Sequence, residues 1–369
     1  MPISFDLNAL NRFIRGRAIG VVTTPAGWLT GVGAFSDWVA QHADVRGFLA
    51  LEHGLRGELQ DGVLFDSYTD SRTGRPVFSY YGRKEHTLPD EFLSGVDAVV
   101  FHAQDVSHRA YTYQLALADT LFACARLGKA LIVLDRPSPL AHLGCSGPLA
   151  PQFFPEPLPL LLPFTLGELA LWLKTQRRLD VELTVVPVVG WRRSMPWPET
   201  GLPWIPPSPN IPTLDSAYAY AMTGIIQATN VSEGRGTCKP FEYFGAPFVK
   251  GDRLAAALDA RHLPGLVFRE VYFKPGFNKF AGEICAGVHL IIAAPELVEP
   301  IRTMFAILHE LARLHPAEFH VLPGLPHWLD QGAWPAERLA TLDVDTTAAA
   351  MAAEGHEFLT AISPLLAYP

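Results

Sequence analysis

The chain has 369 residues, 49% hydrophobic and 18% charged, an ordinary globular composition with enough length for two domains and a sizeable core. A formal net charge of −8, with Lys and Arg scattered along the chain, leaves no basic footprint for a nucleic-acid backbone. Cys124, Cys145, Cys238 and Cys285 lie far apart with no C-x-x-C pair, which gives neither a zinc knuckle nor a disulfide framework and fits a reducing compartment.

In chain order, Asp6, Arg12, Arg15 and Arg17 fall where a signal peptide needs an apolar run, so the sequence as given carries no secretion signal. A cytoplasmic location is expected, or a trimmed exported form. Next come "AIGVVTT" (18–24), "VRGFLALEHG" (45–54), "PVFSYYG" (76–82), "DAVVFHAQD" (97–105) and "ALIVLDRP" (130–137), which read as strands buried on both faces. Between them, 33–42, 88–95 and 111–128 have helical length and pattern, with Gly128 as a C-cap. The expected fold is α/β: a Rossmann-like doubly wound parallel sheet over 1–175, followed by a smaller α+β domain over 176–369.

Each strand exits into polar residues: Thr23 and Thr24; Glu52, His53 and Arg56; Tyr81; Gln104, Asp105 and Arg109; Asp135 and Arg136. Ligands of open α/β sheets bind outside the carboxyl ends of the strands, so these groups are expected to converge on one crevice. Taken singly, each of them reads first as a helix or turn cap; five exits all carrying such groups shift the balance toward a site.

"GVGAFS" lacks the third glycine of a dinucleotide fingerprint and "GRGTCKP" lacks the Gly-Lys-Ser/Thr ending of a phosphate loop, so no nucleotide cofactor is expected. His102, Asp105 and His108 have no recognised ligand spacing, and no metal is expected either. "PLPLLLPFTLGELALWL" (157–173) holds three prolines and Glu168, too broken to span a bilayer, and reads as core leading into a helix. The proline-rich run 190–213 is an ordered irregular loop, whose three tryptophans serve either as a core lid or as a platform for a sugar. "LVFREVYFKP", "GVHLIIAA" and a helix near 297–314 make the α+β region, and a loosely helical tail follows. Between loop and region lies "TNVSEGRGTCKPFEYFGAPF" (229–248), dense in polar groups and without helix or strand period.

The order of "EHGLRGELQDG" (52–62), "DSYTDSRTGRPVFSYYG" (66–82), "QDVSHRAYTY" (104–113), "LDRPSPL" (134–140), "GWRRSMPWPETGLPWIPPSPNIPT" (190–213) and the 229–248 stretch resembles the bacterial exo-β-N-acetylmuramidase family. The resemblance runs from about residue 10 to about 320 and implies a glycosidase that removes N-acetylmuramic acid from non-reducing ends of peptidoglycan fragments. It implies an amino sugar or peptidoglycan fragment as partner, and no cofactor, nucleic acid or membrane. Glycosidases hold two carboxyl groups at the scissile bond. Glu52 is the leading catalytic carboxylate, or else a structural partner of Arg56 or His53; Glu233 and Asp105 are candidates for the second group, with His53 assisting proton transfer. A substrate acetamide in place of the protein nucleophile is the alternative.

The lactyl carboxylate of muramic acid calls for an arginine fork, for which Arg56, Arg136 and Arg235 are candidates. Asn210, Thr229 and Asn230 suit sugar hydroxyls or the acetamide, and Gln104, Arg109, Tyr111, Asp135 and Lys239 complete the implied substrate contacts. Five positions depart from the family's pattern: His102, Ser146 and Gln227 replace acidic residues, and Leu161 and Leu162 replace an Arg-His pair. If these line the cleft, the member acts on another sugar or is a binder without turnover.

Overall fold

The structure is a computed structural model and describes residues 3–81, 88–329 and 332–369. Among these, the N-terminal half builds one sheet from β1 (Ala18–Thr23), β2 (Asp44–Ala50), β3 (Tyr68–Thr69), β4 (Pro76–Ser79), β5 (Ala98–His102), β6 (Ala130–Leu134) and β7 (Leu183–Val186). Their spatial order is β7-β6-β5-β1-β2-β4-β3. All neighbours are parallel except β3, which runs antiparallel to β4 at the edge. The strand expected over 76–82 ends at Ser79, and its last residue, Gly82, lies outside the described residues.

The apolar continuity of the strands reflects burial on both faces. In β5, Val99 and Phe101 point into one core while Ala98 and Val100 point into the other; Leu131 and Val133 of β6 alternate with Ala130, Ile132 and Leu134 in the same way. Helices α1 (Phe35–His42), α2 (Tyr113–Leu127) and α3 (Leu166–Gln176) pack on the sheet. Gly128 ends α2 with φ 62°, the left-handed conformation that a C-capping glycine adopts without strain. A capping box between Thr165 and Glu168 starts α3. Because β7 pairs with β6 beyond α3, the first sheet continues past residue 175.

The second sheet is antiparallel, β8 (Tyr243–Ala246), β9 (Leu266–Phe273) and β10 (Cys285–Ile292) in the order β8-β10-β9. Helices α4 (Leu214–Thr223) and α5 (Gly251–Asp259) pack on it, α6 (Pro300–Leu314) packs on both of these helices, and α7 (Val344–Ile362) packs on α6. The proline-rich loop buries Trp191 and Trp197 with Ile3, Met195 and Tyr368, so these two serve as core; Trp204 packs edge-on against Trp197. No described helix is long and apolar enough to cross a membrane.

The topological switch point lies between β1 and β5, where an open sheet would take its ligand. Here that crevice is filled. The Thr23 hydroxyl donates to the His102 carbonyl at 2.8 Å, Phe5 and Phe35 pack against the His102 ring, and Arg136 Nη1 donates to the Trp28 carbonyl at 3.1 Å.

Candidate active site

One cavity of about 540 Å³ opens beside the end of β2 and is closed by the second half of the chain. Its polar wall comes from Glu52, His53 and Asp61 on one side and Asn210, Gln227 and Arg235 on the other. Tyr111, Phe153, Tyr220, Phe241 and Trp328 supply an aromatic lining.

The strand expected to run to residue 54 stops at Ala50, and Glu52 and His53 stand in the turn that follows. Gly54 makes that turn with φ +78°, and a side-chain carbon there would lie 2.7 Å from the Glu58 carboxylate. Glu58 is itself fixed by the Arg56 amide at 3.0 Å and the Tyr68 hydroxyl at 3.1 Å. Glu52 is half-buried and accepts from Thr112 Oγ1 at 3.2 Å and the Gly62 amide at 3.4 Å. No ion pair to Glu52 occurs among the described residues. Its possible pairing with Arg56 is excluded, because that guanidinium is taken by Asp70 at 2.7 Å and Asp37 at 2.8 Å.

His53 Nδ1 faces the Leu59 carbonyl at 3.1 Å, which requires Nδ1 to carry the proton and leaves Nε2 with a lone pair. Burial lowers its pKa from 6.5, opposed by the charges of Glu52 and Asp61, so the ring is neutral at pH 7. Asp61 bridges the two halves of the chain: Arg235 Nη1 reaches it at 2.8 Å and Asn210 Nδ2 at 2.8 Å. Arg235 is held between Gly234 and Gly236, both at positive φ, where a side chain would collide with the backbone of Tyr243 or Phe277. Its guanidinium lies 5.3 Å from the Phe241 ring centroid.

Of the residues expected from sequence, Glu52, His53, Tyr111, Asn210 and Arg235 meet in this cavity. The others do not line it. Arg56 is paired as above, on a separate surface groove with Asp37 and Arg72. Gln104 bridges the Asp105 and Pro137 carbonyls, each at 2.9 Å, and accepts from Arg136 Nε at 2.8 Å. Asp135 accepts from Thr165 Oγ1, the amides of Gly167 and Arg136, and the Tyr368 hydroxyl, capping α3 and anchoring the C-terminal tail. Arg109 is fully buried and donates to the carbonyls of Pro148, Leu158 and Trp328. Buried polar groups must be satisfied, and at these strand exits the partners are protein rather than ligand.

The 229–248 stretch follows the same rule. Thr229 Oγ1 donates to the Ile226 carbonyl, Asn230 ties down Glu318 and His320, and Lys239 pairs with Glu242 at 2.7 Å. Glu233 is buried against Lys279 at 3.2 Å and Asn278 at 3.3 Å, behind Arg235 rather than in the cavity. Its polar density holds an irregular backbone in place, and the stretch sends one charged side chain, Arg235, and one ring, Phe241, into the cavity.

Asp105 is likewise buried, accepting from the Ser107 amide at 2.7 Å and from Gln114, and burial pushes its carboxyl up from 3.8 to about 7. A carboxyl raised in the fold binds its proton more tightly folded than unfolded. The stability it contributes is complete below about pH 3.8 and is lost as pH rises through about 7. Asp105→Asn, lacking this titration, gains stability relative to wild type between about pH 5 and pH 8, with a slope of at most about 1.4 kcal/mol per pH unit. Melting curves of both proteins at the two pH values check this; an unchanged difference contradicts it.

Four of the five positions that depart from the family's pattern also lie outside the cavity. His102 is wholly buried, its Nδ1 donating to the Leu134 carbonyl at 2.8 Å; Leu161 and Leu162 are core; Ser146 bridges Leu161. Only Gln227 lines the cavity, donating to the Gly224 carbonyl at 3.0 Å. The expected loss of charge at the cleft therefore reduces to one residue.

Sequence reasoning missed Asp61, Phe153, Tyr220, Phe241 and Trp328. Asp61 lies inside the motif "EHGLRGELQDG", and its signal is a carboxylate shortly after Glu52. Among the described residues, no three His, Cys, Asp or Glu side chains gather to hold a metal ion.

Two family models cover this arrangement: the N-terminal domain of the exo-β-N-acetylmuramidase NamZ matches residues 19–215 and its C-terminal domain matches 218–368. The chain belongs to the NamZ family. The second match carries the family likeness well beyond residue 320, where sequence reading had placed its end. The peptidoglycan β-N-acetylmuramidase NamZ of Bacillus subtilis is 39% identical over 316 residues, 84% of this chain and 76% of that relative. A crystal structure of a DUF1343 family protein from Bacteroides fragilis superposes with a TM-score of 0.76 at 32% identity, over 85% of this chain and 83% of that one. A second DUF1343 protein of that organism, 21% identical, shares the fold over 100% of this chain and 99% of its own, with a TM-score of 0.78. The NamZ family models meet at residues 215–218, within α4, beyond the last strand of the first sheet.

Proposed function

We propose that this chain is a glycoside hydrolase that releases N-acetylmuramic acid from the non-reducing ends of peptidoglycan fragments. Family membership supports the reaction class, and one observation supports its location. Among the described residues Glu52 is a cavity carboxylate with no cation paired to it, whereas Asp61 is already paired with Arg235.

Glu52 protonates the leaving-group oxygen, with Thr112 and the Gly62 amide fixing its rotamer. Two groups can complete the reaction: Asp61 as the second carboxylate, or the acetamide of the substrate itself. Neutral His53 presents Nε2 as an acceptor for a water or sugar hydroxyl proton. Arg235 is the only Lys or Arg lining the cavity among the described residues, and it receives the lactyl carboxylate. The aromatic lining excludes water around the sugar.

The test is release of aglycone from a chromogenic β-N-acetylmuramide and from the matching β-N-acetylglucosaminide. The muramide is expected to be the better substrate, and Arg235→Met to lower the muramide-to-glucosaminide ratio of kcat/KM by about 10–100-fold. Faster hydrolysis of the glucosaminide by wild type, or an unchanged ratio in the variant, contradicts the assignment.

A further inference from the structure

We infer that Lys279, outside the cavity, is a positioning residue that sets the orientation of Arg235 and Gln227 and thereby the selectivity for the lactyl carboxylate. The inference rests on the reading above. Lys279 belongs to the connection between β9 and β10, which docks on the Arg235 turn through the Gly276 amide and the Gly236 carbonyl at 2.9 Å. Its Nζ lies 3.0 Å from the Ile226 carbonyl, 3.1 Å from that of Gln227, 2.9 Å from that of Val231, and 3.2 Å from Glu233 Oε2. An ammonium has three protons for these four acceptors, so no donor is left for a ligand. Its work is internal.

Two consequences follow from those partners. The carbonyls of Ile226 and Gln227 belong to the turn that puts Gln227 and Ala228 on the cavity wall. The carboxylate of Glu233 begins a row of alternating charge: Arg235 Nε lies 3.7 Å from Glu233 Oε1, Arg235 Nη1 lies 2.8 Å from Asp61, and Asp61 holds Asn210 at 2.8 Å. At 3.7 Å the Glu233–Arg235 contact is an ion pair without a hydrogen bond, so its geometry depends on what fixes Glu233. Lys279 and Asn278 do that. Without the ammonium, Glu233 is held by Asn278 alone, and its charge, no longer balanced by Lys279, draws the Arg235 guanidinium away from Asp61 and the sugar. Glu52 touches none of this row.

The experiment compares Lys279→Met, Lys279→Arg, Glu233→Gln and the double variant Lys279→Met/Glu233→Gln on the two chromogenic substrates. Both Lys279→Met and Glu233→Gln are expected to raise KM for the muramide by about tenfold or more, with KM for the glucosaminide within about twofold of wild type. Lys279→Arg recovers part of the loss, and the double variant is no worse than the poorer single one, because both act through one row. If Lys279→Met does not fold, Glu233→Gln, which keeps the volume of the side chain, carries the test. The inference is overturned if folded variants keep the wild-type ratio of the two KM values, or if KM rises equally on both sugars. A wild type inert on both sugars overturns the underlying reading instead, and the inference with it.

Discussion

Glu52→Gln lowers turnover on the muramide by about 10²–10⁴-fold and leaves the melting temperature within about 2 °C of wild type. Gln keeps the size of Glu; its amide oxygen can still accept from Gly62, and its amide nitrogen can donate to the Thr112 oxygen. Among the described residues no cation pairs with Glu52 and none is left behind, so the roughly 3–5 kcal/mol penalty for an orphaned buried charge does not arise. What is lost is the transferable proton. The measurement is kcat per folded molecule beside a thermal melt. A drop in melting temperature with kcat retained would make Glu52 a structural residue.

The opposite pattern is expected at Asp135, where Asp135→Leu costs about 3–5 kcal/mol of stability and leaves kcat per folded molecule near wild type. Leu approximates the shape of Asp but accepts nothing, and four donors converge on this carboxylate. Thr165 Oγ1 lies at 2.6 Å, the Gly167 amide at 2.9 Å, the Arg136 amide at 3.0 Å and the Tyr368 hydroxyl at 2.7 Å. Each donor left unsatisfied in a buried site costs about 1–3 kcal/mol, and partial relaxation keeps the sum below four times that. Removing the acceptor frees the start of α3 and the C-terminal tail together. The melting temperature is expected to fall by on the order of 10 °C. Unchanged stability with lost turnover would return Asp135 to the substrate site.

The contrast between these two residues shows what could be read from the sequence. Strand periodicity, the C-cap at Gly128 and the helix near 297–314 are local patterns, and they placed β1, β2, β5, β6 and α6 within a few residues. The family likeness likewise rested on local motifs. A polar group at a strand end, however, looks the same whether its partner is a sugar or a distant backbone group. Two of the four partners of Asp135 lie 30 and 233 positions away, and Arg109 reaches a carbonyl 219 positions away. Only the tertiary fold reveals that the Asp135 carboxylate and both terminal nitrogens of Arg109 already have protein partners. The cavity wall was hidden for a related reason: Phe153 and Trp328 come from segments with no periodic pattern, brought together by Arg109 holding Trp328 while their rings meet edge to face at 5.8 Å.

The most direct test of the central claim is a crystal structure of the Glu52→Gln protein with a β-linked N-acetylmuramyl–N-acetylglucosamine disaccharide. The expected result places the muramyl ring in the cavity beside His53 and Asn210, its lactyl carboxylate on Arg235. The glycosidic oxygen should lie within hydrogen-bond reach, about 2.6–3.2 Å, of the side chain at position 52. A disaccharide bound elsewhere, such as at the groove beside Arg56, or one whose glycosidic oxygen stays more than about 6 Å from position 52, beyond the reach of one bridging water, would contradict the account.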